Sequence, residues 1–276
     1  MFSTNRQDFS KLLVIDLDDT LIGIGHRISQ KNVSAVRRAA RQGVAVTIAT
    51  GRTFQTTQPF AKQLGIRLPL ICYHGALVRT EHKVYIERML PEFFIRSLIA
   101  FASRHKVQVC FYVSHHNIIY FNRPLDAFAK EYLNKIERVR EITLVDFSTY
   151  TLLRTPIKCM MIGPEDKIAR LEKLARKRWR TEMYITRSRP TLLEFLNNDI
   201  SKGKAVEFIA KKFHIQPRNV VVIGDSYNDI SMFRVAGTSI AVKNAPHEVE
   251  QAADHVVASW NHDGVAEAVE KFVVER

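Results

Sequence analysis

Two short apolar runs, each followed at once by acidic residues, constrain the fold of this chain more than any other feature. The runs cover residues 11–15 and 220–223. The acidic residues that follow them are Asp16, Asp18, Asp19, Asp225 and Asp229. Parallel strands that are covered on both faces read as continuous Val, Ile and Leu, and ligands bind at the carboxyl ends of such strands. The two clusters therefore predict one shared site at the edge of a parallel sheet.

The number of carboxylates at this site predicts a bound metal ion. Carboxylate oxygens favour a hard divalent cation such as Mg²⁺. Because Mg²⁺ is commonly held by one or two carboxylates together with phosphate oxygens, the pattern also favours a phosphorylated substrate.

Strand and helix signals alternate at both ends of the chain, as expected for a parallel sheet with crossover helices. Ser29 is placed to cap a helix that Gly43 ends. The other helices predicted in these two parts are 54–64, 204–213 and 229–235. The predicted strands are 11–15, 44–49, 70–73, 220–223 and 239–242.

Between residues 82 and 194 the regular alternation of strand and helix signals is lost. The pattern there predicts a hairpin over 107–121 with His115 and His116 in its turn, followed by mixed helices and strands. The predicted elements after the hairpin are a helix over 125–138, a strand over 157–162 and a helix opening at Pro164, and Pro190 precedes a further apolar run over 191–196. The predicted fold is α/β: a Rossmann-like parallel-sheet core, residues 1–81 and 195–276, with an inserted α+β domain, residues 82–194.

Composition excludes several classes of protein. With 46% hydrophobic and 25% charged residues, the chain of 276 residues has the composition of a folded soluble protein. Its apolar runs are far shorter than the roughly 20 residues that span a bilayer, and its polar first ten residues lack the apolar core of a signal peptide. These features predict a cytoplasmic protein. Cys72, Cys110 and Cys159 are scattered, which predicts reduced thiols without a disulfide or zinc framework.

The net charge of +13 is unevenly distributed. Residues 82–194 carry 21 Lys and Arg against 12 Asp and Glu, a net of +9. A basic region of this kind attracts an anionic substrate or a nucleic acid. The densest basic run, residues 176–180, also fits the solvated end of a helix, and no zinc-finger or RNA-binding signature accompanies it.

The acidic residues can supply the chemistry of phosphoryl transfer, which requires a nucleophile, charge neutralisation and a proton for the leaving group. Asp16 and Asp18 are two positions apart, so one carboxylate can attack phosphorus while the other handles the proton. Acidic residues after a strand are also common as helix caps, and this reading carries equal weight for the first cluster alone. Asp225 offers a further metal ligand, and Thr50 with Gly51 can bind phosphate.

A positive charge completes this inventory. Lys202 lies in a segment with two lysines before a predicted helix and can balance the charges of Asp16, phosphate and Asp225, with Asp229 holding its ammonium. A single lysine is more often a solvated surface group.

Four ordered motifs resemble those of the haloacid dehalogenase superfamily of phosphatases. They are residues 16–20, 50–52, 201–203 and 224–229. Residues 230–233, 236–237, 242–245 and 263–266 are similar to the tail of the Cof-type hydrolases, which carry a large cap, of type IIB, between the second and third motifs. The resemblance covers essentially the whole chain and identifies the inserted domain as that cap.

The resemblance implies a role for each matching residue. Asp16 becomes the nucleophile that forms an aspartyl-phosphate, and Asp18 the acid that protonates the leaving group and then activates water. Lys202 and Asp229 complete the catalytic set. The implied Mg²⁺ ligands are Asp16, the main-chain carbonyl of Asp18, Asp225 and Ser226. The implied phosphate contacts are Leu17, Thr50, Gly51, Arg52, Lys202 and Asn228.

Two positions depart from the family pattern. Asp19 stands where many members have Gly, and the chemistry is expected to tolerate it. His74, followed by Gly75 and Ala76, stands where the family usually shows Asn-Gly-Ala. His74 can bind substrate, titrate near neutrality or simply pack.

The function predicted first is a Mg²⁺-dependent phosphatase of small phosphate monoesters, with sugar phosphates, phosphorylated cofactors and nucleotides as the implied classes. The alternative is a phospho-acceptor signalling domain, which also combines an acidic cluster with Thr and Lys on an α/β sheet. Such domains lack a second acid two residues after the acceptor and lack a large insertion, so Asp18 and residues 82–194 of this chain argue against this alternative. A basic nucleic-acid-binding protein with a decayed site is disfavoured because every catalytic position is intact. The cap is expected to select the substrate. Its candidate substrate-binding residues are Arg123, Arg187 and Arg189, and the sequence does not define their position relative to the site.

Overall fold

The computed structural model describes residues 9–23, 25–113, 118–122, 124–135, 141–149 and 154–274. The chain divides into two units. The first contains the described residues up to Thr50, Thr57–Tyr85 and those from Ser201 onward, and the second contains Gly51–Thr56 and Ile86–Ile200. The domain boundaries at residues 82 and 194 stay a prediction.

Strands and helices alternate along most of the described chain. The strands are β1 (Lys11–Ile15), β2 (Val44–Ile48), β3 (Leu70–Cys72), β4 (Leu77–Arg79), β5 (Val84–Glu87), β6 (Gln108–Val113), β7 (Ile118–Asn122), β8 (Glu141–Val145), β9 (Lys158–Ile162), β10 (Met183–Arg189), β11 (Leu192–Asn197), β12 (Val220–Gly224), β13 (Thr238–Val242) and β14 (His255–Val257). The helices are α1 (Gln30–Arg41), α2 (Phe54–Leu64), α3 (Glu92–Arg104), α4 (Ala127–Lys135), α5 (Glu165–Trp179), α6 (Lys202–Lys212), α7 (Ile230–Phe233), α8 (His247–Gln251) and α9 (Gly264–Ala268).

The first unit is built on a parallel sheet with the strand order β14-β13-β12-β1-β2. Ile15 of β1 lies opposite Ile223 of β12 on one side and Ile48 of β2 on the other. Every residue of β2 and β12 is buried, which explains why both strands are mostly apolar; the one hydroxyl, on Thr47, donates to the Pro69 carbonyl at 2.7 Å. Because the strands are parallel, their carboxyl ends meet at one edge of the sheet, as the sequence predicts.

Helix α1 forms where the sequence signals place it. The Ser29 hydroxyl accepts a hydrogen bond from the main-chain N–H of Asn32 at 3.1 Å and caps the first turn. Val33, Val36 and Ala39 recur at helical spacing and are buried. The helix ends just before Gly43, as predicted, and packs against α9.

The strand predicted over residues 70–73 does not extend the parallel ladder. β3 pairs antiparallel with β4, and β4 pairs with β5, in a small three-stranded sheet. A single bridge between Ala49 and Ile71 joins β3 to the end of β2. β4 and β5 were not predicted. β4 is short, and most of β5 is not buried, so its sequence shows no clear alternation of apolar and polar residues.

The second unit contains a six-stranded sheet of order β10-β11-β9-β6-β7-β8. Its neighbours are antiparallel except β7 and β8, which run parallel. Side chains of α3 and α5 share one apolar cluster with one face of this sheet. Trp179 packs edge-on against Phe195, with ring centroids 5.9 Å apart. The predicted α+β character of the insertion is confirmed.

Several boundaries differ from the sequence predictions. Helix α6 begins at Lys202 rather than at 204, because the Ser201 hydroxyl caps it by accepting from the N–H of Lys204 at 3.0 Å. Helix α7 is limited to Ile230–Phe233. The strands of the hairpin are confirmed, while its turn, with His115 and His116, and the far end of the helix predicted to 138 lie outside the described residues. Helix α3 and strands β8 and β10 were not predicted.

The start of α6 packs so closely on α7 that only glycine fits at position 203. A methyl group on Gly203 would overlap the main-chain carbonyl of Ser231. Gly203→Ala is expected to lower the free energy of unfolding by about 1–3 kcal/mol, because main-chain atoms must move apart. Urea denaturation followed by circular dichroism measures the change.

The matched control for this substitution is Gly163→Ala, where an added methyl group would lie 3.5 Å from the nearest side-chain atom, in ordinary contact. Its stability should stay within about 0.5 kcal/mol of the wild type. Equal losses at the two positions would contradict the close packing of α6 on α7.

Candidate active site

Three strand ends come together at the carboxyl edge of the parallel sheet. Asp16 directly follows β1, and its N–H donates to the Ile223 carbonyl of β12 at 2.9 Å. Thr50 follows the end of β2, and its N–H donates to the Ile71 carbonyl at 2.9 Å. Asp225 directly follows β12. The parallel register therefore brings residues from distant parts of the chain to one edge.

A tight turn holds the segment after Asp16. The Leu17 carbonyl accepts from the N–H groups of Leu21 and Ile22 at 3.0 and 2.9 Å. Asp18 is half-buried in this turn, and Asp19 has a φ of 61°. That left-handed conformation is natural for Gly, and Asp tolerates it better than most other residues. Asp19 is therefore compatible with the backbone conformation at this position.

The ammonium of Lys202 lies between two carboxylates. Its Nζ donates to Asp16 Oδ1 at 2.5 Å and to Asp229 Oδ1 at 2.6 Å. The Lys202 side chain is 1% exposed and that of Asp229 0%. Burial opposes the charge of Lys202, but the two carboxylates raise the pKa of its ammonium above the ordinary value. Lys202 is thus a buried, charged residue rather than a solvated one.

Asp229 also shapes the loop that follows β12. Its second oxygen, Oδ2, accepts from the N–H groups of Asp225 and Ser226 at 3.1 and 3.0 Å. One carboxylate therefore binds the lysine with one oxygen and the loop backbone with the other.

Asp225 receives a hydrogen bond from the hydroxyl of Thr20, which lies 2.6 Å from its Oδ1. Burial raises the pKa of Asp225 to about 7, with a further rise from Asp229, while the Thr20 hydroxyl opposes the shift. Burial also raises the pKa of Asp16 well above its usual range, although Lys202 acts against this. Burial therefore disfavours the ionised forms of both carboxyl groups.

The donor set fits a hard divalent cation. Carboxylate oxygens of Asp16, Asp225 and Asp229 lie within 4.8 Å of one another. Three carboxylates face a single ammonium, so two further positive charges would neutralise them. Since Asp229 is occupied by Lys202 and by main-chain N–H groups, Asp16 and Asp225 are the carboxylates best placed to bind such an ion.

A second group of residues links Thr50 to Asn228. The N–H of His74 donates to the Thr50 carbonyl at 3.0 Å. His74 Nδ1 lies 3.2 Å from Asn228 Nδ2. Gly51 and Arg52 directly follow Thr50 in the chain and belong to the second unit.

The sequence pattern does not predict two of the contacts in this site. Thr20 was part of the first motif without an assigned function, yet its hydroxyl holds Asp225, over two hundred residues away. The link between His74 and Asn228 was also missed. Neither contact has a signal in local spacing, because each depends on the register between distant strands.

Comparison with known proteins establishes the family. The model of haloacid dehalogenase-like hydrolases matches residues 13–269. The chain therefore belongs to the haloacid dehalogenase-like hydrolases. The predictions of this family, of its fold and of a phosphatase are confirmed.

The similar proteins share nearly the full length of the chain. The 5-amino-6-(5-phospho-D-ribitylamino)uracil phosphatase of Bacillus subtilis is 30% identical over 274 residues, which cover 99% of this chain and 100% of that protein. A haloacid dehalogenase-like hydrolase from Bacteroides thetaiotaomicron superposes with a TM-score of 0.82 at 28% identity, over 95% of this chain and 98% of its own. A structure described as a subclass IIB sugar phosphatase gives a TM-score of 0.82 at 25% identity, with the same coverage. No described helix combines the length and apolar character that crossing a membrane requires.

Removing the buried ammonium tests this electrostatic arrangement. Lys202→Met should lower the free energy of unfolding by about 3–5 kcal/mol, because two buried carboxylates lose their cation. The measurement is urea denaturation in a chelating buffer, so that metal binding does not contribute.

Lys211→Met is the matched control, since Lys211 is an exposed lysine on the same helix. It should change stability by no more than about 0.5 kcal/mol. A Lys202 variant as stable as this control would contradict the proposed balance of charges.

Proposed function

We propose that the protein is a Mg²⁺-dependent phosphatase that hydrolyses small phosphate monoesters through an aspartyl-phosphate on Asp16. The observation that carries the proposal is the contact of Lys202 with both Asp16 and Asp229, beside Asp225 at the same sheet edge. This arrangement combines a carboxylate nucleophile, a fixed positive charge and oxygen ligands for a cation.

Hydrolysis proceeds in two displacements at phosphorus. In the first, an Asp16 oxygen attacks, the bond from phosphorus to the ester oxygen breaks, and the protonated Asp18 gives its proton to the leaving alkoxide. In the second, the Asp18 carboxylate takes a proton from water, which attacks the aspartyl-phosphate. Inorganic phosphate leaves, Asp16 is regenerated as a carboxylate, and Asp18 is again protonated.

Lys202 has two tasks in this scheme. It holds Asp16 in a fixed orientation, and its charge stabilises the negative charge that gathers around the transferring phosphoryl group. Asp229 fixes the ammonium and is itself fixed by the loop backbone, so neither group needs to reorganise during the reaction.

A magnesium ion would be held by Asp16, the main-chain carbonyl of Asp18, Asp225 and Ser226, and the clustered carboxylates of Asp16 and Asp225 support this site. The ion, when bound, neutralises negative charge on the phosphate and the carboxylates. Thr20 restrains the Asp225 carboxylate through the hydrogen bond to its Oδ1. The proposed phosphate contacts are Leu17, Thr50, Gly51, Arg52, Lys202 and Asn228.

The substrate is proposed to be a small phosphorylated metabolite. The names of similar proteins support this class, since one is a phosphatase of a phosphorylated ribitylaminouracil and another a sugar phosphatase. The net charge of +9 over residues 82–194 supports a cap that attracts anionic substrates. The proposal keeps the cytoplasmic location predicted from the sequence.

The nucleophile is tested by Asp16→Asn. The variant should fold and yet lose at least about a thousandfold in kcat, because an amide cannot attack phosphorus. Hydrolysis of p-nitrophenyl phosphate measures the loss, and mass spectrometry of acid-quenched enzyme should show the phosphorylated aspartate in the wild type only. Turnover by the folded variant at the wild-type rate would eliminate Asp16 as the nucleophile.

Metal dependence is tested by chelation. Activity should vanish in EDTA and return with excess Mg²⁺, whereas Ca²⁺ should inhibit, because its looser coordination misplaces the reacting groups. Asp225→Ala should raise the Mg²⁺ concentration needed for half-maximal activity, while Asp254→Ala, at an acidic residue outside the site, should leave it unchanged. Full activity in a chelated sample would refute the metal requirement.

A further inference from the structure

His74 lies in an unusual stretch of backbone next to the site. Three consecutive residues have left-handed conformations: Tyr73 with φ 48°, His74 with φ 56° and Gly75 with φ 101°. The His74 side chain is 1% exposed. Left-handed residues other than glycine are uncommon and persist where the surrounding structure holds them.

This backbone is held by close packing on α6. A methyl group on Gly75 would overlap the carbonyl of Ser201, so the stretch can approach the start of α6 only with glycine at that position. The side chain of Ser231 donates to the Asn228 carbonyl at 3.0 Å and accepts from the Gly203 N–H at 3.1 Å. Close packing and hydrogen bonds therefore fix the three segments around residues 74, 202 and 228 against one another.

His74 is joined to two of the proposed phosphate contacts. Its main-chain N–H donates to the Thr50 carbonyl at 3.0 Å, and its ring Nδ1 lies 3.2 Å from Asn228 Nδ2. A carboxamide nitrogen can only donate. The contact therefore requires an unprotonated Nδ1, which makes His74 the acceptor.

Because His74 Nδ1 is an acceptor, the Nδ2 end of the Asn228 carboxamide faces it rather than the Oδ1 end. Asn228 Oδ1 is buried, and no donor among the described residues lies within hydrogen-bond distance of it. A buried carbonyl oxygen without a donor is unfavourable, so a hydrogen bond to Nδ2 is needed to keep the carboxamide in this orientation. Nδ2 carries two hydrogens, so a carboxamide that donates one to His74 has a second to donate to a phosphate oxygen, which accepts but does not donate.

We infer that His74 is a positioning residue that fixes the carboxamide of Asn228 for phosphate binding. This inference rests on the proposed function, in which Asn228 contacts the phosphate. His74 is buried and acts through Asn228. It thereby supplies a buried hydrogen-bond acceptor beside the carboxamide.

The test compares three substitutions by steady-state kinetics with p-nitrophenyl phosphate and by competition with inorganic phosphate. His74→Ala removes the acceptor and should raise KM and the inhibition constant for phosphate by about 5- to 30-fold. The value of kcat should change much less, because the contact is made in both the ground and transition states. His74→Asn should restore most of the loss, since Asn tolerates positive φ and places Oδ1 where the ring has Nδ1. Asn228→Ala should match His74→Ala.

A double-mutant cycle separates positioning from general stabilisation. If His74 acts through Asn228, adding His74→Ala to Asn228→Ala should change KM by less than about twofold. Equal effects of His74→Ala in both backgrounds, or no recovery with Asn, would overturn the inference. If His74→Ala does not fold, His74→Phe keeps a ring without an acceptor, and the same comparison applies. The control is His214→Ala, because His214 has the same φ of 56° but is exposed.

The experiments distinguish an error in this inference from an error in the proposed function. An Asn228→Ala variant with the wild-type KM would remove Asn228 from the phosphate contacts and overturn the inference. The Asp16 and chelation experiments would still decide the rest of the mechanism. Activity that survives Asp16→Asn would instead refute the nucleophile while leaving the coupling between residues 74 and 228 measurable by phosphate binding.

Discussion

The ion pair network around Lys202 is the interaction on which the rest of the site depends. A buried ammonium is strongly unfavourable unless it is paired and hydrogen-bonded, and Lys202 meets both conditions through Asp16 and Asp229. The three residues come from the end of β1, the start of α6 and the loop before α7. Their mutual attraction therefore fixes the positions of three separate elements at one point of the sheet edge.

The same network creates the demand for further positive charge. Lys202 neutralises only part of the charge of Asp16, Asp225 and Asp229, and burial makes the excess unfavourable, as the raised pKa values of Asp16 and Asp225 show. Excess buried negative charge favours a divalent cation, which is the basis of the proposed magnesium site. The proposed phosphatase chemistry thus follows from an imbalance of charge that the fold holds in place.

The region of His74 shows how backbone conformation and chemistry are linked in this protein. The left-handed stretch from Tyr73 to Gly75 turns the chain sharply at the end of β3 and brings Nδ1 of His74 to the side chain of Asn228. Strained backbone of this sort is maintained by its neighbours, here the start of α6. In the proposed function, a residue that does not itself contact the phosphate would therefore influence how tightly the phosphate is held.

Local patterns determined much of this protein. Continuous apolar runs predicted the buried parallel strands, Ser29 and Gly43 predicted the limits of α1, and the four motifs predicted which residues would gather at the sheet edge. Short strands such as β4 and the antiparallel pairing of β3 were decided by tertiary packing, because their signals are weak or compete with neighbouring ones. The hydrogen bonds of Thr20 to Asp225 and of Asn228 to His74 join residues more than 150 positions apart. The sequence determines which chemical groups the site contains. Which of these groups are in contact depends on the register of the folded strands, because contact distances of about 3 Å depend on every residue packed between them.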